Sequence, residues 1–159
     1  MKPATIAEIK KELKYKSPEQ LTEYCMAMAR FKLESKELLT YLVFESENEE
    51  AYIESVKTYV SSEFKTINKT NYYFIKKSVR KILRQLKRNI RYSKKPATEA
   101  ELLIYFCHEM HQIRPSFRNN RVLTNMYNTQ LKMVQKAINK LHEDLQYDYN
   151  LLLEELHID

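Results

Sequence analysis

The chain has 159 residues, the length of one ordinary domain, with 27 Lys and Arg against 21 Asp and Glu for a formal charge of +6. A chain this long, 43% apolar and 30% charged, can build a core without a metal or a disulfide. It holds no glycine, where about 7% is usual, which argues against a P-loop, a dinucleotide fingerprint, a nucleophile elbow and tight β-hairpins.

Helix signals recur along the sequence. Thr5 with Glu8 fits a capping box, and Ser17-Pro18-Glu19-Gln20 offers a cap, a first-turn proline and a third-position glutamine. Leu21, Tyr24, Cys25, Met28 and Phe31 then form one apolar stripe, and Leu38, Leu39, Leu42 and Val43 a second. Ser46 with Glu49 reads as another capping box, opening a helix striped by Tyr52, Ile53, Val56, Tyr59 and Val60. The fifth segment, Asn71 to Tyr92, places Ile75, Val79, Ile82, Leu83, Leu86 and Ile90 on one face. The sixth runs from Glu99 to Ile113 behind a Thr98–Glu101 capping box. Its run Leu102 to Cys107 is apolar nearly all round, the mark of a central buried helix. In the last segment Tyr127, Leu131, Val134, Ile138, Leu141 and Leu145 step like a seam against a partner helix. Unbroken, it would span about 35 residues, roughly 50 Å; a break near Tyr147 to Asn150 is the alternative. The polar loops, Asn68 to Thr70 and Arg114 to Asn120, are short. The expectation is a single all-α domain over residues 1–159: an antiparallel helical bundle or short α-solenoid of six to eight helices.

No apolar region precedes the first acid, Glu8, and no run is long enough to cross a bilayer. Cys25 and Cys107 read as free thiols in a reducing cytoplasm, and no membrane partner is expected because the aliphatic stripe of the Asn71 to Tyr92 segment is needed for the core.

Charge is unevenly distributed. From Phe64 to Lys95 there are twelve Lys or Arg and no acid, leaving 15 basic and 21 acidic residues elsewhere. Lys77, Arg80, Lys81, Arg84, Lys87, Arg88 and Arg91 fall opposite the apolar stripe. Several pairs, such as Arg80–Arg84 and Arg84–Arg88, are like charges one turn apart, each costing about 0.2–0.5 kcal/mol. Two offsets are open. One is internal: Glu37, Glu45, Glu47, Glu49, Glu50 and Glu54 lie in a stretch without a base. The other is an external polyanion, with Lys77, Arg80, Arg84, Lys87, Arg88 and Arg91 as phosphate contacts. Tyr72, Tyr73 and Tyr92 would then be available for stacking on bases, and Lys94, Lys95, Arg114, Arg118 and Arg121 would extend the patch.

Catalytic and metal signals are weak. Cys107, His108 and His111 lack further ligands at tetrahedral spacing, and His108-Glu109-Met110-His111 is one residue short of a zincin motif. On a helical wheel both histidines face away from the apolar centre. Glu154-x-x-His157 occurs once, where di-iron bundles need it twice. Cys107 and His108 are neighbours in sequence and diverge on a helix. No catalytic residue, metal, cofactor or small-molecule substrate is expected.

Residues Thr5 to Leu13 and Ser17 to Leu21 resemble the short helix–turn–helix of SAP and Rho N-terminal modules, which bind nucleic acid. Lys14-Tyr15-Lys16 stands where those modules carry a glycine turn. The chain as a whole resembles a family of small uncharacterised helical bacterial proteins. That resemblance rests on Leu38 to Glu45, Ala51 to Lys57, Lys81 to Arg84, Ile90 to Ser93 and Leu141 to Tyr149. It implies a bacterial cytoplasmic source and no particular activity. The expected function is therefore a non-enzymatic protein-interaction or scaffolding module, with an acidic protein partner or self-association. The alternative is sequence-independent nucleic-acid binding through the basic helix at 71–95.

Overall fold

The computed structural model describes residues 1–157 and shows an all-α protein. Among these residues there are eight α-helices and no strand, and no helix is long and apolar enough to cross a membrane. The chain divides into two compact helical units, residues 1–44 and residues 45 onward.

The first unit holds α1 (Ile6–Leu13), α2 (Pro18–Phe31) and α3 (Leu33–Thr40). Both expected capping boxes form. The Glu8 amide donates to Thr5 Oγ1 at 3.3 Å, and the Thr5 amide donates to the Glu8 carboxylate at 2.8 Å. Ser17 and Gln20 exchange the same pair of bonds at 3.2 and 3.0 Å. The α1–α2 turn closes without glycine, through Tyr15 and Lys16 amides donating to the Glu12 and Leu13 carbonyls. The helices form, yet none of the three buries a residue. Ile6 remains 81% and Phe31 88% exposed, so the α2 stripe is only partly covered. The second stripe is interrupted: α3 ends at Thr40, and a π-helical turn over Tyr41–Glu45 leaves Leu42 and Val43 exposed.

The second unit holds α4 (Glu49–Lys65), α5 (Tyr72–Ser93), α6 (Pro96–His111), α7 (Arg121–Ile138) and α8 (Glu143–His157). Helix α6 packs against α4, α5, α7 and α8. Its Ala100, Leu102, Leu103, Phe106, Cys107 and Met110 are all fully buried, as the apolar run predicts. Phe106 meets Phe64 of α4 edge-on, with ring centroids 5.5 Å apart. Helix α5 contributes Ile75, Val79, Ile82, Leu83 and Leu86, and α7 contributes Leu123, Val134 and Ile138.

Three sequence expectations are corrected. Helix α4 is capped by Asn48, whose side chain accepts from the Ala51 amide, rather than by Ser46. Helix α6 starts earlier, at Pro96, and Thr98 caps nothing: its hydroxyl donates to Glu49 at 2.6 Å. The same carboxylate accepts from Ser93 Oγ and from Lys95 at 2.9 Å. Glu49 thus ties the start of α4 to the α5–α6 turn, and that long-range demand displaces both local capping boxes. Third, the C-terminal segment breaks at residues 139–142, ahead of the expected point. The Lys140 and Leu141 amides turn back onto the Ala137 and Ile138 carbonyls, and Leu145 is left exposed on α8.

The α5–α6 turn is made by Lys94 in the left-handed conformation, at φ 58° and ψ 15°, with its amide donating to the Ile90 carbonyl at 3.0 Å. A residue with a Cβ pays about 1–2 kcal/mol for that conformation, which glycine adopts freely.

Replacing Glu49 by alanine is expected to cost about 1–3 kcal/mol, because it strands the buried Ser93 and Thr98 hydroxyls. Urea unfolding checks this: the midpoint should fall at an unchanged slope.

Candidate polyanion interface

Helix α5 turns its aliphatic stripe into the core and its basic face outward. Over 22 residues it is about 33 Å long, and Lys77 to Arg91 span roughly 21 Å of it. Lys77, Arg80, Lys81, Arg84 and Arg91 are exposed, while Lys87 and Arg88 are half-buried. Lys87 rests its ammonium 3.5 Å from the Met133 sulfur, and the Arg88 guanidinium donates to Gln85.

The internal offset reaches only part of this face. Lys81 pairs with Glu63 at 3.2 Å, and Lys95 pairs with Glu49. Glu54 goes to Lys57 instead. Lys77, Arg80, Arg84 and Arg91 make no ion pair among the described residues. Four cations therefore lie along one exposed face without a carboxylate partner.

The flanks are partly as expected. Tyr72 donates to the Ser116 carbonyl at 2.8 Å, which draws the 114–120 loop beside the start of α5. Arg118 and Arg121 are exposed there, whereas Arg114 donates to the carbonyls of His111 and Ile113. The tyrosines do not form a stacking platform. Tyr92 is buried in the core and Tyr72 is half-buried; only Tyr73, 64% exposed and edge-on to Phe74, offers a ring to solvent.

A concave feature lies between α6 and α8, with a volume of about 660 Å³. One end carries three groups from three helices. Lys57 of α4 donates to Glu101 of α6 at 2.6 Å and to Glu54 at 2.8 Å, and Tyr149 of α8 donates to Glu101 at 3.2 Å. Burial works against the Lys57 charge, but hydrogen bonds and attraction from Glu101 and Glu54 outweigh it and raise its pKa. Burial, with the neighbouring Glu101 carboxylate, pushes the Tyr149 phenol up to about 12. Sequence reading missed this triad because Glu101 looked like a local cap and its partners lie 44 and 48 residues away.

The histidines at the other end divide. His108 is exposed, but His111 is half-buried, contrary to its place on the wheel. Its Nε2 lies 2.6 Å from Tyr127 Oη, and Tyr127 donates to the Leu156 carbonyl. Tyr127 has a single proton, so the His111 Nε2 carries the hydrogen between them. Phe117 packs edge-on to the same imidazole. Cys107 is fully buried, and burial pushes its thiol up to about 12, which disfavours the thiolate a metal or a nucleophilic role requires. Among the described residues no group of three His, Cys, Asp or Glu side chains is placed to hold a metal. Glu154 and His157 sit exposed at the end of α8.

No family model, no curated protein and no solved structure matches this chain.

Two outcomes follow. Arg84→Gln removes two like-charge pairs and should raise stability by about 0.4–1 kcal/mol at low ionic strength, a gain that molar salt erases. Tyr149 has a folded pKa above its unfolded value, so its contribution is intact below about pH 10 and is lost as pH rises toward 12. Alkaline unfolding of Tyr149→Phe should therefore show a shallower loss of stability across that window than the parent chain.

Proposed function

We propose that the protein binds nucleic acid without sequence preference, through phosphate contacts along the exposed face of α5. The observation that carries this reading is the set Lys77, Arg80, Arg84 and Arg91, exposed and without ion pairs among the described residues. A solvated face balanced by its acidic neighbour would place carboxylates against these cations. The acids of α4 pair instead with Lys57, Lys81 and Lys95. Like charges one turn apart are costly unless a polyanion offsets them, and phosphates spaced along a strand supply that offset at every turn. The remainder of the chain carries net negative charge, so the field is polarised and favours approach by this face. Among the described residues there is no strand, and Tyr72, Tyr73 and Tyr92 form no stacking platform, which suits backbone contacts alone.

A second reading, a helical protein-interaction module, has its own support. The first unit buries no residue of its three helices and presents an apolar groove of about 700 Å³ between α2 and α3, floored by Met26, Phe31, Leu39 and Phe44 and rimmed by Arg30, Lys32 and Lys36. Exposed apolar surface of this kind suits a protein partner or a second copy.

Fluorescence anisotropy with short DNA and RNA across a salt series separates the two. Neutralising four phosphates on duplex DNA predicts a slope of about −3.6 in log K against log salt. Arg80→Gln with Arg84→Gln should reduce that slope by about 2 and weaken binding to all sequences alike. Absence of binding at low salt overturns the nucleic-acid reading and leaves the interaction module.

A further inference from the structure

At the far end of the basic face, the end of α5, the start of α6, the end of α7 and the turn after it line an open pocket of about 300 Å³. Five cations line it, Lys87, Arg91, Lys94, Lys95 and Lys140, with a single carboxylate, Glu99. Ile90 and Met133 supply apolar wall. Lys95 is paired with Glu49. Lys87, Arg91, Lys94 and Lys140 have no ion pair among the described residues, so four uncompensated cations meet one acid.

The geometry points to a binding site for a phosphomonoester, the terminal phosphate of a nucleic-acid chain or of a free nucleotide. This rests on the polyanion reading of α5 and adds a ligand that the open face does not select. An internal phosphodiester carries one charge and is flanked by chain on both sides. A phosphomonoester carries about −1.5 to −2 at pH 7, has three acceptor oxygens and has one free end to insert. The pocket volume corresponds to roughly ten waters, room for a phosphate and part of its sugar. Helix α6 also opens here with its first turn uncapped by any side chain from Lys95, so its positive end adds to the field of the four cations.

Lys94 carries the argument further. It stands in the left-handed position that glycine fills without strain, at a helix end where glycine is the usual choice. The carboxyl-terminal ends of α5 and α7 attract cations on their own account, which is reason enough for Arg91 and Lys140 to lie near them. That attraction does not require a cation at the one strained position. A ligand that needs the Lys94 ammonium does.

The test uses the full chain and a single-stranded oligonucleotide prepared with a terminal phosphate or a terminal hydroxyl at the same end. Anisotropy at fixed salt should show at least fivefold tighter binding of the phosphorylated form. Lys94→Gly and Lys140→Gln should each reduce that preference below twofold and weaken the hydroxyl form less than the phosphorylated form, with Lys94→Gly melting no lower than the parent chain. Equal affinity for the two forms overturns the proposal while sparing the α5 face. A preference unchanged in Lys94→Gly, with a lowered melting temperature, also overturns it, in favour of a purely structural lysine. If neither oligonucleotide binds, the polyanion reading fails. The pocket is then judged by amide shifts at Lys94 to Glu99 with millimolar nucleoside monophosphate against chloride of equal ionic strength; shifts sustain it and their absence overturns it. Nucleoside monophosphate that abolishes the end preference identifies a general phosphomonoester site, and failure to compete identifies the nucleic-acid end; both sustain the site.

Discussion

Everything in the larger unit depends on burying α6. Leu102, Phe106, Met110, Leu103, Cys107 and Ala100 together cover an arc of about 160° on one helix, and each is fully covered. A helix buried over so wide an arc needs several neighbours, and α4, α5, α7 and α8 supply them. Each neighbour then commits one stripe inward and must turn its other face to water. For α5 that geometry fixes where the polar residues go. It does not require them to be basic, since glutamine or glutamate would satisfy the same packing. The choice of Lys and Arg is therefore separable from the fold, and that separation is what makes the face informative about binding.

Helix type and apolar stripes were legible in the sequence because they depend on neighbours three and four residues apart. The Asn71 to Tyr92 segment is found within a residue at each end, and the apolar run of α6 marks the central helix. Local caps were legible only where no distant group competed. Thr5 with Glu8 and Ser17 with Gln20 lie in helices that bury nothing, so their side chains bond locally. Glu49 and Glu101 present the same spacing but are recruited by Thr98, Ser93, Lys57 and Tyr149 from other helices. The break before α8 was hidden because Leu141 and Leu145 continue the stripe across it. The pair Glu143-Asp144, acids favoured in a first turn, was the available sign.

The candidate site divides in the same way. The basic face follows from one helix and could be read directly. The pocket beside it could not, because Lys140 reaches it from the turn after α7 and Lys94 from a turn whose backbone conformation no spacing announces. The first unit poses the converse case. Its helices carry clear signals, yet 44 residues enclose too little volume to bury an apolar face, so amphipathic pattern there does not translate into a core.

The two cysteines fall one to each unit. Cys25 lies half-exposed on α2, and Cys107 lies buried toward the carboxyl-terminal end of α6 with its thiol held in the protonated form. A thiol reagent can reach Cys107 only when the surrounding helices part, so its modification rate measures how often that core opens. Cys25 needs no such event. The chain thus carries a built-in pair of clocks, one recording access to the small unit and the other recording breathing of the large one.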